Sequence, residues 1–185
     1  MINKIPELKG GSPLGDISPL NFVIHDFVDA RMIENPHKVG YGILGFNHNV
    51  LADREAKDLV RQTIVLELKR NGHQVLEPQE KDKADVIIDG SVQELWVGAT
   101  GLYSGEIRAS TKIKITANSL KLEKSLSKIY QGIASQNVTA LFKFVNKEGF
   151  ERLLNDALLS MVKEFTMDPD FLEVLQKVKK QPSAS

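Results

Sequence analysis

From Glu106 to Ala117 the chain alternates without a break. Ile107, Ala109, Thr111, Ile113 and Ile115 fall on one side of an extended backbone, and Arg108, Ser110, Lys112 and Lys114 on the other. Successive side chains of a strand point to opposite faces, so this pattern describes a strand with one face in a core and one in water, as in antiparallel sheets. Asp85 to Val97, just upstream, reads as a long strand with Val86, Ile88, Val92 and Trp96 on one face. A glycine-rich connection, Gly98 to Gly105, separates the two. After a turn over Asn118–Lys124, Ser125 to Ala134 reads as a third strand, and the three make a meander.

Such a half-buried sheet needs a cover, and two helical patterns can provide it. In Asp53–Asn71, the residues Ala56, Leu59, Val60, Thr63, Ile64 and Leu68 recur at three- and four-residue spacing. Asp53 is the expected N-cap, Lys69 and Arg70 suit the negative end of the helix dipole, and Gly72 stands where a left-handed cap residue belongs. Lys147–Thr166 carries a longer stripe: Phe150, Leu153, Leu154, Ala157, Leu158, Met161, Val162 and Phe165. Asp168-Pro169 then opens a short final helix with Asp168 as N-cap and Phe171, Leu172, Leu175 and Val178 as its apolar face. The fold class expected is α+β: an antiparallel or mixed sheet, built on the meander, packed on one face by two main helices, plus a short C-terminal helix.

The remaining stretches set the boundaries. Residues 1–19, with Gly and Pro and few large apolar groups, read as a flexible arm or tether; 20–180 as a single domain; 181–185 as a polar tail. Asn21 to Ala30 reads as a first strand, with Phe22, Ile24 and Asp26 on one face and Val23, His25 and Phe27 on the other. Arg31 to Lys38 is a polar connection broken at Asn35-Pro36, and Val39 to Asn49 is a short strand and glycine-rich loop. His73 to Glu77 is a short strand, followed by a charged turn from Pro78 to Ala84.

Charge and composition remove several function classes. Lys plus Arg and Asp plus Glu are 24 each, so the chain lacks the positive excess of a general nucleic-acid binder. It has no cysteine, which excludes disulfides, thiol catalysis and cysteine-ligated metals. No run approaches the ~20 apolar residues needed to span a bilayer. Met1 to Gly11 has no continuous apolar core and no cleavage site of a signal peptide.

The chemical inventory is thin. His37, His48 and Asp53 flank the glycine-rich loop and are the residues a metal-dependent or other hydrolase would use, yet their spacing in a loop specifies no ligand geometry. Gly40, Gly42 and Gly45 match G-x-G-x-x-G, but Phe46 to Leu51 intervene before the helix and no second parallel βα unit follows. Asp85, Asp89 and Glu94 share the long strand, where carboxylates serve acid–base chemistry or simply a solvated face. Neither a catalytic set, a metal nor a cofactor is expected. The candidate binding residues are the cationic stripe Arg108, Lys112 and Lys114, and the aromatics Trp96 and Tyr103 near the hairpin tip, with core packing as the plainer role for Trp96.

Several stretches resemble the YajG-like family of uncharacterised bacterial lipoproteins. They are Leu66-Glu-Leu-Lys-Arg-Asn-Gly-His-Gln-Val75, Ala84-Asp-Val-Ile-Ile-Asp-Gly-Ser-Val-Gln-Glu-Leu95, Ile107 to Ala117, Tyr130-Gln-Gly132 and Leu153 to Leu175. Asp26 to Arg31 and Lys38-Val-Gly40 fit more loosely, so the resemblance covers most of residues 20–178. It implies a periplasmic domain tethered to the outer membrane by a lipidated cysteine, and it supplies no catalytic residues. The sequence departs from the family in having neither a signal peptide nor a lipobox cysteine, so the expectation is a remnant tether at residues 1–19 with the anchor missing from this sequence. The function expected is a non-enzymatic envelope module that binds a partner protein, a glycan or a lipid head group, or docks onto a larger assembly through its C-terminal helices.

Overall fold

The strand expected from Asp85 is the spine of the structure. In the computed structural model, which describes residues 11–41, 49–101, 104–139 and 147–180, this strand is β6 (Val86–Gly101). One edge of β6 pairs antiparallel with β7 (Ser104–Ser119), and β7 pairs with β8 (Lys124–Thr139), giving the meander. Strand β6 runs on to Gly101 and β7 begins at Ser104, so most of the expected connection is itself paired.

The other edge of β6 is shared by short parallel strands in succession. They are β1 (Asn21–Ile24) beside Val86–Ile88, β2 (Val28–Asp29) beside Ser91 and Val92, and β3 (Lys38–Tyr41) beside Val97 and Gly98. β4 (Asn49–Leu51) adds antiparallel to β3, and β5 (Gln74–Leu76) adds parallel to β1. The described strands form one mixed sheet of 8 strands. Parallel neighbours need a crossover, and α1 (Ala56–Arg70) lies in the one between β1 and β5.

Both main helices pack on one side of this sheet. α1 rests on β5 and β6, and α2 (Lys147–Thr166) rests on β8, β7 and β6. The stripe residues predicted for each are buried, and full burial of a Leu-, Ile- or Phe-sized side chain contributes about 1.5–3 kcal/mol. α2 seats closely because position 132 is glycine: a Cβ there would stand 1.9 Å from the Ala157 carbonyl oxygen. α3 (Pro169–Lys180) starts as expected, with the Asp170 amide donating to Asp168 Oδ1 at 3.0 Å.

The structure corrects four local readings. The α1 N-cap position is Glu55, which makes no side-chain cap, and Asp53 lies outside the helix. Asn21–Ala30 is two strands, and Phe22, Val23 and Ile24 are all buried, because an inner parallel strand is covered on both faces and loses its alternation. Trp96 does not share a face with Val92. The fourth concerns the N-terminal arm. Residues 1–10 lie outside the described residues, but from Ser12 the chain is packed into the fold. Ser12 caps a 3-10 turn over Pro13–Asp16, and Leu14, Ile17 and Leu20 are buried. Pro13 and Gly15, two of the residues that suggested a tether, lie in this turn. His73 holds the segment: its Nδ1 accepts from the Leu20 amide at 3.3 Å, and its Nε2 lies 3.2 Å from the Leu14 carbonyl, to which it donates. The predicted tail, 181–185, is outside the described residues.

Candidate ligand-binding site on the open sheet face

A bulge in β6 creates the site. Val92 opposes Ile113 and Glu94 opposes Lys112, so Gln93 is an extra residue with no counterpart on β7. An extra residue in one strand reverses the side-chain alternation beyond it. Before the bulge Val86, Ile88 and Val92 are buried; after it Leu95 and Val97 are. Glu94, Trp96 and Gly98 therefore move to the face without helices, where Trp96 is half-buried opposite Ser110.

The parallel strand β3 brings a second aromatic to the same place. Tyr41 pairs with Gly98, and its ring meets Trp96 edge-to-face at a centroid distance of 5.0 Å. Lys38 Nζ lies 3.8 Å from the Tyr41 ring centre, within cation–π range. This approach needs Gly40, where a Cβ would lie 1.9 Å from the Val97 carbonyl oxygen. That explains the first glycine of the G-x-G-x-x-G match, which sits inside β3; Gly42 and Gly45 lie outside the described residues.

The groove over Trp96 has a volume of about 530 Å3. Tyr41, Trp96, Glu94, Arg108, Ser110 and Gln131 are among its lining residues. Glu94 accepts a hydrogen bond from the Ser110 hydroxyl. Arg108 is exposed, and among the described residues neither it nor Lys112 nor Lys114 makes an ion pair. A second depression of about 290 Å3 adjoins it, sharing Glu94 and Trp96 and adding Met32 and Ile33.

The loop carrying Met32 is fixed by a buried arginine. Arg31 meets Asp29 bidentately, at 2.8 Å from Nε to Oδ1 and 2.7 Å from Nη2 to Oδ2. It also donates to the Pro36 and Lys38 carbonyls at 2.8 Å each. Burial opposes ionisation of Asp29, but these Arg31 contacts outweigh it and hold the carboxyl below its ordinary range.

The structure brings two of the predicted binding residues, Trp96 and Arg108, into one groove. Lys112 and Lys114 continue along β7 on the same face, beyond its lining. Tyr103 lies outside the described residues. Tyr41 and Gln131 were not singled out from sequence, since only the pairing of β3 and β8 with their neighbours brings them here.

Of the residues considered for other chemistry, Glu94 lines this groove, while Asp85, Asp89 and His37 have partners elsewhere. Asp85 accepts from the Asn21 amide at 2.8 Å and pairs with Lys121 at 2.8 Å. Asp89 meets His25 at 2.8 Å and Asn118 at 3.1 Å. His37 Nδ1 lies 3.3 Å from the Ala52 carbonyl, and His48 is outside the described residues. Among the described residues no three His, Cys, Asp or Glu gather as a metal site.

The sequence matches no protein-family model and no curated protein. Solved structures match by fold. Protein XCC0632 from Xanthomonas campestris, described with the family model DUF330, superposes with a TM-score of 0.65 at 11% identity, covering 98% of this chain and 97% of that one. The crystal structure of an uncharacterised protein superposes with a TM-score of 0.51 at 12% identity, covering 80% and 90%. At these identities the likeness is one of fold: this chain shares the α+β architecture of the Xanthomonas protein over nearly the whole length of both.

Proposed function

We propose that this chain is a non-enzymatic binding module of the bacterial cell envelope, held at the periplasmic side of the outer membrane by a lipid anchor preceding the domain. The groove over Trp96 is its binding surface. The observation that carries the binding role is the bulge at Gln93, which takes the chain's sole tryptophan out of the core and sets it beside Arg108, a cation without an ion pair among the described residues. Aromatic and arginine side chains are the types enriched where recognition energy concentrates. The envelope setting is supported by the sequence resemblance to YajG-like lipoproteins. No described helix is long and apolar enough to cross a membrane.

The test places a photo-cross-linking residue at Thr100, on the exposed rim of the groove, and separately at Lys69, on the exposed side of α1. The protein is made from its full natural gene and irradiated in living cells. Discrete adducts from Thr100 and none from Lys69, with the protein in the outer-membrane fraction, are expected. Identical patterns from both positions, or none from Thr100, would remove the groove as the binding surface. Recovery in the cytosolic fraction would remove the envelope setting.

A further inference from the structure

The make-up of the groove narrows what fits it. Its apolar part is aromatic, Trp96 with Tyr41 edge-to-face beside it. Its polar part is planar or hydroxyl-bearing: Glu94, Arg108, Ser110 and Gln131. Its volume of about 530 Å3 is in the range of small-molecule sites, and its walls are side chains standing on a sheet, so it is open along one side. A molecule with an apolar C–H face and a rim of hydroxyls satisfies both parts at once. The C–H face stacks on the indole, and the hydroxyls reach the carboxylate, amide and hydroxyl groups around it. That description fits a pyranose ring.

Charge then selects among pyranoses. Glu94 already accepts from Ser110 and stands opposite Lys112. Arg108 and Lys112 lie on either side of Ser110, the residue opposite Trp96. Four residues of strand separate them by about 13 Å. Neither has an ion pair among the described residues, so one cation lines the groove and a second stands on the same face just beyond its lining, with the aromatic centre between them. We infer that it takes an acidic oligosaccharide, one ring on Trp96 and the carboxylates of neighbouring sugars on Arg108 and Lys112. This rests on the groove being the binding surface and adds the ligand class. Arg108 offers the bidentate donor geometry that a carboxylate matches, and Lys112 acts as a point charge.

Trp96 is the sole tryptophan, so its emission reports the groove directly. The probe is tetragalacturonate, with its methyl ester as the charge-free counterpart. The acid should change the emission saturably. Arg108→Gln should weaken this by about tenfold or more, the loss of one charge-assisted hydrogen bond, and Lys112→Met should weaken it less. The ester should titrate weakly and alike on the wild type and both variants. Unchanged melting temperatures show that the variants are folded. The inference is overturned if neither probe changes the emission, or if Arg108→Gln binds the acid as the wild type does. Cross-linking from Thr100 separates the two levels: adducts with a silent emission remove the saccharide and keep the groove, while loss of both removes the groove as well.

Discussion

The Tyr130 hydroxyl donates to Asp168 Oδ2 at 2.6 Å, tying the middle of β8 to the first turn of α3. The other carboxylate oxygen caps α3 through the Asp170 amide at 3.0 Å and pairs with Lys128 at 2.9 Å. One side chain thus ends a loop, starts a helix and satisfies a buried phenol. Burial first, and then the hydrogen bond to Asp168, push the Tyr130 pKa well above its ordinary value, so the phenol stays a donor. Asp168→Ala removes the cap and leaves the hydroxyl buried without an acceptor. We expect a loss of about 2–4 kcal/mol, read by urea unfolding, against about 1 kcal/mol for Tyr130→Phe.

The same carboxylate sets part of the acid limit. Burial disfavours its charge, but the Tyr130 and Lys128 hydrogen bonds outweigh burial, so its folded pKa lies below the ordinary 3.8. A depressed carboxyl contributes stability that is complete above 3.8 and disappears as pH falls through the folded value. Asp29, lowered beside Arg31, acts in the same window. Asp168→Asn should therefore be less stable than the wild type at neutral pH and lose less on acidification. Parallel stability curves for the two proteins below about pH 4 would refute this.

His73 produces a separate limb at higher pH. Burial lowers its pKa from 6.5, partly opposed by the Leu14 carbonyl, so the folded state holds it neutral. Protonation would also cost the bond its Nδ1 accepts from Leu20. For a depressed histidine the unfolded chain binds the proton first. Stability is complete above 6.5 and falls as pH drops below it. Protection factors of the amides at Leu20 and in the 3-10 turn should fall from about pH 6 downward, ahead of those in α2. His73→Gln should remove that step.

The helices were legible because their periodicity is local and uninterrupted: each apolar residue named for α2 is buried where the stripe put it. The alternation of β7 held for the same reason. What failed needed information from elsewhere in the chain. Strand β1 shows no alternation because its faces are decided by partners more than fifty residues away, Gln74 to Leu76 on β5 and Val86 to Ile88 on β6. Tyr41 joins Trp96 only through parallel pairing of β3, which leaves no mark on the sequence of either strand. The phase error in β6 did leave a trace. Val92, Leu95 and Val97 are spaced by three and then two, and a step of three inside a period-two pattern marks a residue that the ladder must bulge out.

Close seating of α2 rests on the absence of one methyl group. A Cβ at position 132 would lie 1.9 Å from the Ala157 carbonyl oxygen and 2.5 Å from the Met161 nitrogen, both backbone atoms of a helix that cannot yield locally. Gly132→Ala must therefore lift α2 from β8. We expect about 1–3 kcal/mol of destabilisation despite the better strand propensity of alanine. A melting temperature at or above that of the wild type would show that the helix can slide aside without cost.

Deleting Gln93 tests what the bulge does for the ladder. Without the extra residue Val92 and Glu94 become neighbours and keep their partners Ile113 and Lys112, so regular alternation leaves Glu94 and Trp96 on the open face and Leu95 and Val97 in the core. The strain falls on the other edge of β6, where β2 pairs at Ser91 and Val92 and β3 at Val97 and Gly98, one residue too far apart for the shortened strand. We expect a loss of about 1–3 kcal/mol, read by thermal unfolding, with the emission of Trp96 still responding to tetragalacturonate because its place opposite Ser110 is kept. Trp96→Phe is the contrasting variant: it alters the groove but leaves both edges in register, and its cost should stay below about 1 kcal/mol. If the deletion instead abolishes the response in a folded protein, the contact of Trp96 with Tyr41 on β3, and not its pairing with β7, sets its position.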